Sequence, residues 1–413
     1  MNPVNDIFII IANFLRSILG AGGLHLADWF VDLIMAVLRA ALLGTFALLT
    51  FMVLTWIERK VVARIQDRLG PNVAGPWGIL LPIADGVKML AKEDTIPEGA
   101  DKPVFSAAPI VAAVAAMLVY AVIPFGPDTG YGALAGADLN IGIFYILAVG
   151  AVSLIAILMA GWSSNNKFAL VGAFRAVAEL LSYEVPQVLS ITTVVMLAGT
   201  MQMTQIVQAQ TVPFIFPLFA TAIVFFISGV AESGRTPFDL VEAESEIVAG
   251  YHIEYSAMKF SMFFLGEFVH AFAVCAVFTT VFLNGWEGPV LPPYIWFLLK
   301  SGAIFFIMMW LRGTLPRFRI DQLMAFNWKF LVPLSLVNLL VIATSDTIVR
   351  TMLHFTPDGN PWAWGLILFA VNLVMLFVAL GLLGRGARRN ITERRVVTRG
   401  TDEKAAPATA HSN

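Results

Sequence analysis

The chain has 413 residues, 58% of them hydrophobic and only 13% charged, with a formal net charge of −2. Soluble domains carry about 25% charged residues, so this is the composition of an integral membrane protein, and its near-neutral balance gives no pull toward nucleic acid. One cysteine, Cys275, excludes a disulfide framework and a cysteine-ligated iron–sulfur cluster built by this chain alone, and five histidines without an HxxxH or HxH pair argue against haem or zinc.

Residues 1–28 read as an interfacial segment rather than a cleaved signal, because Asp6 precedes the apolar run 7–12 and Arg16 follows it. A spanning helix needs about 20 mostly apolar residues. Nine stretches are predicted to span: 29–57, 104–124, 142–162, 177–197, 214–230, 257–282, 294–311, 330–348 and 362–383. The expected fold is therefore an all-α polytopic membrane protein. Its core covers 29–350, a further C-terminal helix covers 351–384, and a basic tail runs over 385–413.

The loop after the first span is charge-rich, with Glu58, Arg59, Arg64, Asp67 and Arg68 where that span ends. The stretch "GPNVAGP" then forces a turn through Gly70, Pro71, Gly75 and Pro76. From Trp77 to Lys92 the pattern is amphipathic: Ile79, Leu80, Ile83, Val87 and Leu90 share a face, with Asp85, Lys88 and Lys92 elsewhere. A helix of this kind lies in the membrane interface. It serves either as a structural belt or as one wall of an opening for a lipid-soluble ligand.

Ionisable side chains within spans are functional-site hypotheses by default, and here they are Arg39, Glu179, Glu184, Glu267, His270, Lys300 and Asp346. With Arg175 at the inner interface, Glu179 lies roughly 6 Å deeper and Glu184 roughly 13 Å deeper; with Lys259 there, Glu267 lies roughly 12 Å deep. Glu179 has Arg175 one turn before it, so a local ion pair and a functional role are both open. Glu184 and Glu267 have no base at helical spacing. His270 reads equally as a hydrogen-bonded packing residue, Lys300 and Arg39 as snorkelling cations, and Asp346 as a solvated group near the outer interface. Pro186, two residues after Glu184, removes a helix donor and clashes with the Ser182 carbonyl, which would free polar backbone beside a carboxyl.

Between the fifth and sixth spans, Glu232, Asp239, Glu242, Glu244, Glu246 and Glu254 surround a single base, Arg235. A helix over 239–246 would align Asp239, Glu242 and Glu246 on one face, where like charges repel and titrate as a coupled set. The group is read either as a coupling element or as a solvated surface that docks a basic partner.

Orientation follows from the cations. Arg59, Lys60, Arg64, Arg68, Lys88, Lys92 and Lys102 lie in the first loop, Lys167 and Arg175 after span three, and Arg312, Arg317, Arg319 and Lys329 after span seven. The tail carries Arg385, Arg388, Arg389, Arg394, Arg395, Arg399 and Lys404. The alternate connectors hold none but Arg350. The positive-inside rule then puts the N-terminus outside and the tail inside, which requires an odd number of spans.

In this order the motifs "ERKVVARIQDRLGPNVAGPWGILLPIADGVKMLAKED", "RAVAELLSYEVP", "AESGRTPFDLVEAESEIVAGYHIEYSAMKFSMFFLGEF" and "LPRFRIDQLM" followed by "WK" resemble the H-subunit family of type I NADH:quinone oxidoreductases, respiratory complex I. The resemblance covers roughly 56–329. It implies a bacterial cell-membrane subunit without a catalytic redox centre of its own, with quinone as substrate. Its partners would be the hydrophilic-arm quinone-site and iron–sulfur subunits, small membrane subunits, antiporter-like subunits and lipid. By motif match, Arg59, Asp85, Lys88, Arg235 and Phe238 would lie by the quinone path, and Glu232, Asp239, Glu242, Glu244, Glu246 and Glu254 would line it as an acidic coupling loop. Glu179, Glu184 and Glu267 would continue a proton path, and Arg317, Arg319 and Asp321 would face the hydrophilic arm. The family commonly has eight spans, so the ninth span and basic tail depart from it. The tail is read as binding anionic lipid or a peripheral subunit, or as a stop-transfer anchor with a disordered end. Two alternatives are the membrane subunit of an energy-converting hydrogenase and, more remotely, a proton-linked secondary transporter. The latter expects paired broken helices in two related halves, and neither "RAVAELLSYEVP" nor "AESGRTPFDL" has a second copy.

Overall fold

A computed structural model describes residues 28–127, 136–239, 248–355 and 359–382, together with Asn13 and Pro357. Glu242, Glu244, Glu246, the rest of the segment 1–27 and the basic tail lie outside the described residues. All regular structure among the described residues is helical.

Helix α1, Asp28–Ile65, is apolar almost all round until its last two turns. At 1.5 Å per residue it is about 57 Å long, well beyond the ~30 Å hydrocarbon layer, so the turn carrying Glu58 and Arg59 stands past the apolar stretch. The chain then reverses through "GPNVAGP". Gly78, just past it, has φ +78°, and a Cβ there would collide with the Pro71 carbonyl oxygen, so only glycine closes this turn. Helix α2, Leu81–Ala91, follows with Pro82 in its first turn, where the missing N–H costs nothing. Its apolar face is uncovered: Ile83, Val87 and Leu90 are all exposed.

Helices α3, Lys102–Val119, α4, Gly142–Ser163, and α5, Lys167–Ala198, form a layer in which each packs on the next. Asn166 caps α5 by accepting from Phe168 N, and Gly199 ends it in the left-handed region. After the short α6, Met203–Ala209, comes α7, Phe219–Glu232. Helix α8, Ala257–Phe282, is the central element: it contacts α1, α3 and α7, and is buried along most of its length. Helix α9, Pro293–Thr314, packs on α1 and α8. Helix α10, Ile320–Phe326, runs through a π-helical turn, Asn327–Leu331, into α11, Val332–Thr351, and α11 lies on α5. Helix α12, Pro361–Leu382, closes the bundle. Its Trp364 Nε1 donates to Asp346 at 2.8 Å and its Asn372 Nδ2 donates to the Pro217 carbonyl at 2.7 Å.

Eight of these helices are long and apolar enough to cross a membrane. The exception is the fifth predicted span, 214–230. It is realised as the 14-residue α7, because Pro213 and Pro217 cannot donate helical hydrogen bonds and hold the preceding residues out of the helix. The Ile215 N–H bonds instead to the Phe282 carbonyl at 2.9 Å, and the Asn372 amide takes the Pro217 carbonyl. The nine-span count, and the orientation that rests on its parity, are therefore not carried by helix length alone.

Candidate functional site

Three elements bring opposite charges together beside α8. Glu58 is on the last polar turn of α1, Arg235 follows α7, and Glu267 is on α8. Arg235 Nη1 donates to both Glu58 oxygens at 2.7 and 2.6 Å, and its Nε lies 3.3 Å from Glu267 Oε1. Its guanidinium also sits 4.1 Å above the Phe268 ring, so an aromatic face covers what the carboxylates leave. Arg312, in the last turn of α9, bonds Glu58 from the other side. Glu58 and Arg235 are both buried. A buried pair is sustained when further charges balance it, and here the second carboxylate and second guanidinium add to that balance.

One helical turn past Glu267 stands His270, 3.4 Å from Glu232 at the end of α7. A cavity of about 90 Å³ is lined by Glu232, Ser233, Tyr251, Glu267 and His270, among others. A second, of about 10 Å³, is lined by Gly150, Ser153, Leu180, Glu184 and Glu232. Both share Ser153, Leu180 and Glu232. A water needs roughly 10–15 Å³ on this measure, so the first space holds several waters and the second about one. Glu267, Glu232, His270 and Glu184 thus border one polar seam through three helices. Among the described residues no three His, Cys, Asp or Glu side chains converge to hold a metal ion.

The residues expected by the quinone path separate into three places. Arg59 Nη1 and Asp85 pair at 2.7 Å, and Lys88 stands 3.8 Å from Asp85, all on the α1–α2 surface. Arg235 is in the buried cluster. Phe238 is buried between Tyr183 and Phe318, with ring centroids 5.4 and 5.9 Å away. An open cleft of about 710 Å³ runs from Glu58, Arg59 and Arg312 to Arg68 and the turn at Leu69–Val73.

The acidic loop is also divided. Asp239 is bound by Arg317 at 2.9 Å, and Phe318 N donates to the Pro237 carbonyl at 3.1 Å, so this part of the loop is tied to the segment before α10. Glu254 accepts from Asn166 at 2.6 Å and serves the α5 cap. Next to it, Tyr255 stacks on Phe105 at 4.0 Å, and burial pushes its hydroxyl up to about 12. Burial also lowers His252, in the same turn, to about 4. Arg319 and Asp321 are exposed beside Arg317. Glu179 is fully buried, within the field of Arg175 and Asp239, apart from the seam that holds Glu184.

Several readings of single residues change. Glu267 has a base after all, supplied from outside its helix. Asp346 is paired with Arg350 at 2.8 Å as well as with Trp364, rather than simply solvated. Lys300 does not snorkel: its ammonium donates to the carbonyls of Leu283, Gly285 and Glu287 at 2.8, 3.1 and 2.7 Å, closing the end of α8. Glu58, Arg312 and His270 belong to the site although sequence reasoning did not assign them to it. The available signal was that Thr50, Leu54 and Glu58, four apart, form one buried stripe on α1. On a helix apolar all round, that stripe has no contrast to mark it.

Residues 38–343 match the family model described as NADH dehydrogenase. The H-subunit of NADH-quinone oxidoreductase from Dehalococcoides mccartyi is 48% identical over 87% of this chain and 97% of its own length. The H-subunit numbered 2 of the same enzyme from Syntrophobacter fumaroxidans is 47% identical over 76% of the chain and 96% of its length. The H-subunit from Frankia alni is 44% identical over 82% and 77%. The chain therefore belongs to the H-subunit family of NADH-quinone oxidoreductase, as a membrane component of an oxidoreductase complex.

Proposed function

We propose that this chain forms the membrane side of a quinone chamber and couples quinone reduction to proton translocation. The supporting observation is the succession of charges from the open cleft inward: Arg59 and Glu58, then Arg235 and Glu267, then Glu232 with His270 across one cavity, then Glu184 on the next. A quinone enters along the uncovered apolar face of α2, which lies in the membrane interface. Arg59, Asp85 and Lys88 flank the entry, while Arg235 and Phe238 shape the inner wall. Reduction changes the charge at the cleft. A cluster with two carboxylates and two guanidiniums in balance responds by shifting a proton or a side chain, which biases the carboxyls along the seam. Glu242, Glu244 and Glu246 extend the acidic loop, and Glu179 answers to it through Asp239.

In this reading α7, with its proline-rich lead-in, completes a ninth crossing. The N-terminus is outside and the tail cytoplasmic in a bacterial cell membrane, which places the cleft on the inner face. Arg319 and Asp321 there meet the hydrophilic arm, with Arg317 holding their segment to the acidic loop. The test is E184Q and E246Q in the assembled complex in proteoliposomes. Lowered proton translocation per NADH is expected in at least one. Unchanged quinone turnover and unchanged translocation in both would overturn the reading.

A further inference from the structure

Helix α5 carries Pro186 in its interior, so the Ser182 carbonyl, four residues earlier, has no helical N–H to accept from. A buried carbonyl left without a donor costs as much as a lost hydrogen bond, and more if nothing replaces it. The replacement comes from another helix. Asn327 Nδ2 donates to the Ser182 carbonyl at 2.5 Å, and Asn327 is fully buried. Its neighbour Trp328 donates from Nε1 to Ser182 Oγ at 3.3 Å. Asn327 opens the π-helical turn between α10 and α11, and such turns insert one residue and redirect the side chains around it. Irregular backbone on one helix thus meets a missing donor on the other. The freed carbonyl is not left to line a polar cavity, as the sequence alone would have it.

The contact lies midway between Glu179 and Glu184. Tyr183, the next residue, donates its hydroxyl to the Leu323 carbonyl of α10 at 3.2 Å, so α5 is held at two consecutive residues by the same partner segment. We propose that Asn327 is a positioning residue: it substitutes for the donor that Pro186 removes, and so sets the course of α5 that aims Glu184 at Glu232 and Glu179 at Asp239. Its consequence for proton transfer rests on the proton path proposed above.

The pairing predicts that one change cancels another. N327L removes the donor. P186A restores an N–H to the helix, and Ser182 regains a partner. In the assembled complex in proteoliposomes, with rates normalised to the amount of complex, N327L should lower quinone turnover about fivefold and lower the protons moved per NADH. N327L/P186A should recover most of both. The ratio of protons to NADH separates positioning from simple destabilisation, which lowers the amount of complex and leaves the ratio alone. If N327L blocks assembly, recovery of assembly in N327L/P186A supports the pairing. Unaltered turnover and ratio in N327L, or no recovery in N327L/P186A, overturns the proposal. E184Q and E246Q measured in parallel report on the path itself: normal turnover and translocation in both defeats the path, whereas failed recovery in the double variant defeats the positioning.

Discussion

Glu58 and Arg59 are adjacent in the chain and enter two different kinds of ion pair. Glu58 turns inward to Arg235, with side chains 8% and 3% exposed, whereas Arg59 turns outward to Asp85, with side chains 45% and 31% exposed. The atoms and separations are nearly the same, 2.6 Å and 2.7 Å. Their surroundings differ. In the exposed pair water screens both charges, and such pairs contribute about 0–1 kcal/mol. In the buried pair little of either charge reaches water, so each is held by the other, Arg235 also by Glu267 and Glu58 also by Arg312. The lesson is that one helical step of about 100° separates a charge that answers to its neighbours from one that answers to solvent.

This contrast is open to attack at four points, in descending order of effect. R235L leaves the buried Glu58, and Glu267 beside it, with one shared cation fewer, and the expected cost is about 3–5 kcal/mol. Affinity-purified complex should carry little of this chain; normal recovery would break the contrast outright. Burial acts without any counter-charge at His252, lowered to about 4 from an ordinary 6.5. In that interval the unfolded turn binds the proton and the folded turn does not. Stability is therefore complete above about pH 6.5 and falls as pH drops toward 4, by up to about 3 kcal/mol. The amide protection factors at 250–255, with the intrinsic exchange rate at each pH divided out, should fall from pH 7.5 to pH 4.5, and H252F should remove that fall.

R59Q should leave assembly and thermal stability within about 1 kcal/mol of the parent. If Arg59 flanks the quinone entry, the same variant raises the KM for quinone while the stability stays put, and that split is what steady-state kinetics would read. The smallest effect is K88Q: its ammonium is 3.8 Å from Asp85 and 66% exposed, and a stability change under about 0.5 kcal/mol is expected in a thermal melt.

Much of the bundle was readable from the chain. Eight of the nine apolar stretches became long apolar helices, because a run of about 20 apolar residues without charges has few other structures open to it. The fifth, 214–230, was shortened to α7 at Pro213 and Pro217, where the apolar run continues but the backbone lacks the donors a helix needs. At the site, Arg235, Glu232, Glu267 and Glu184 stood out as charges in or beside apolar helices, and the fold brings the three acids to one seam, with Arg235 against Glu267. Their partners did not stand out. Glu58 lies in a turn crowded with charges, Arg312 looks like any cation at a helix end, and Asn327 is one polar residue in a mixed stretch. Nothing in their local pattern points to a residue 145 to 254 positions away.

Composition and periodicity by themselves determined the helical membrane class, the approximate placement of eight long helices, and which residues carry charge into apolar surroundings. Those properties are local, set by side-chain transfer energy and by the N–H and C=O inventory of a few consecutive residues. Tertiary structure alone decided which charges are balanced: that Arg235 meets Glu58 and Glu267 from two other helices, that Lys300 closes the end of α8, and that Asn327 completes the hydrogen bonding of α5. The physical reason is that a buried charge or carbonyl must find a partner wherever packing delivers one, and packing is a property of the whole bundle rather than of any single helix.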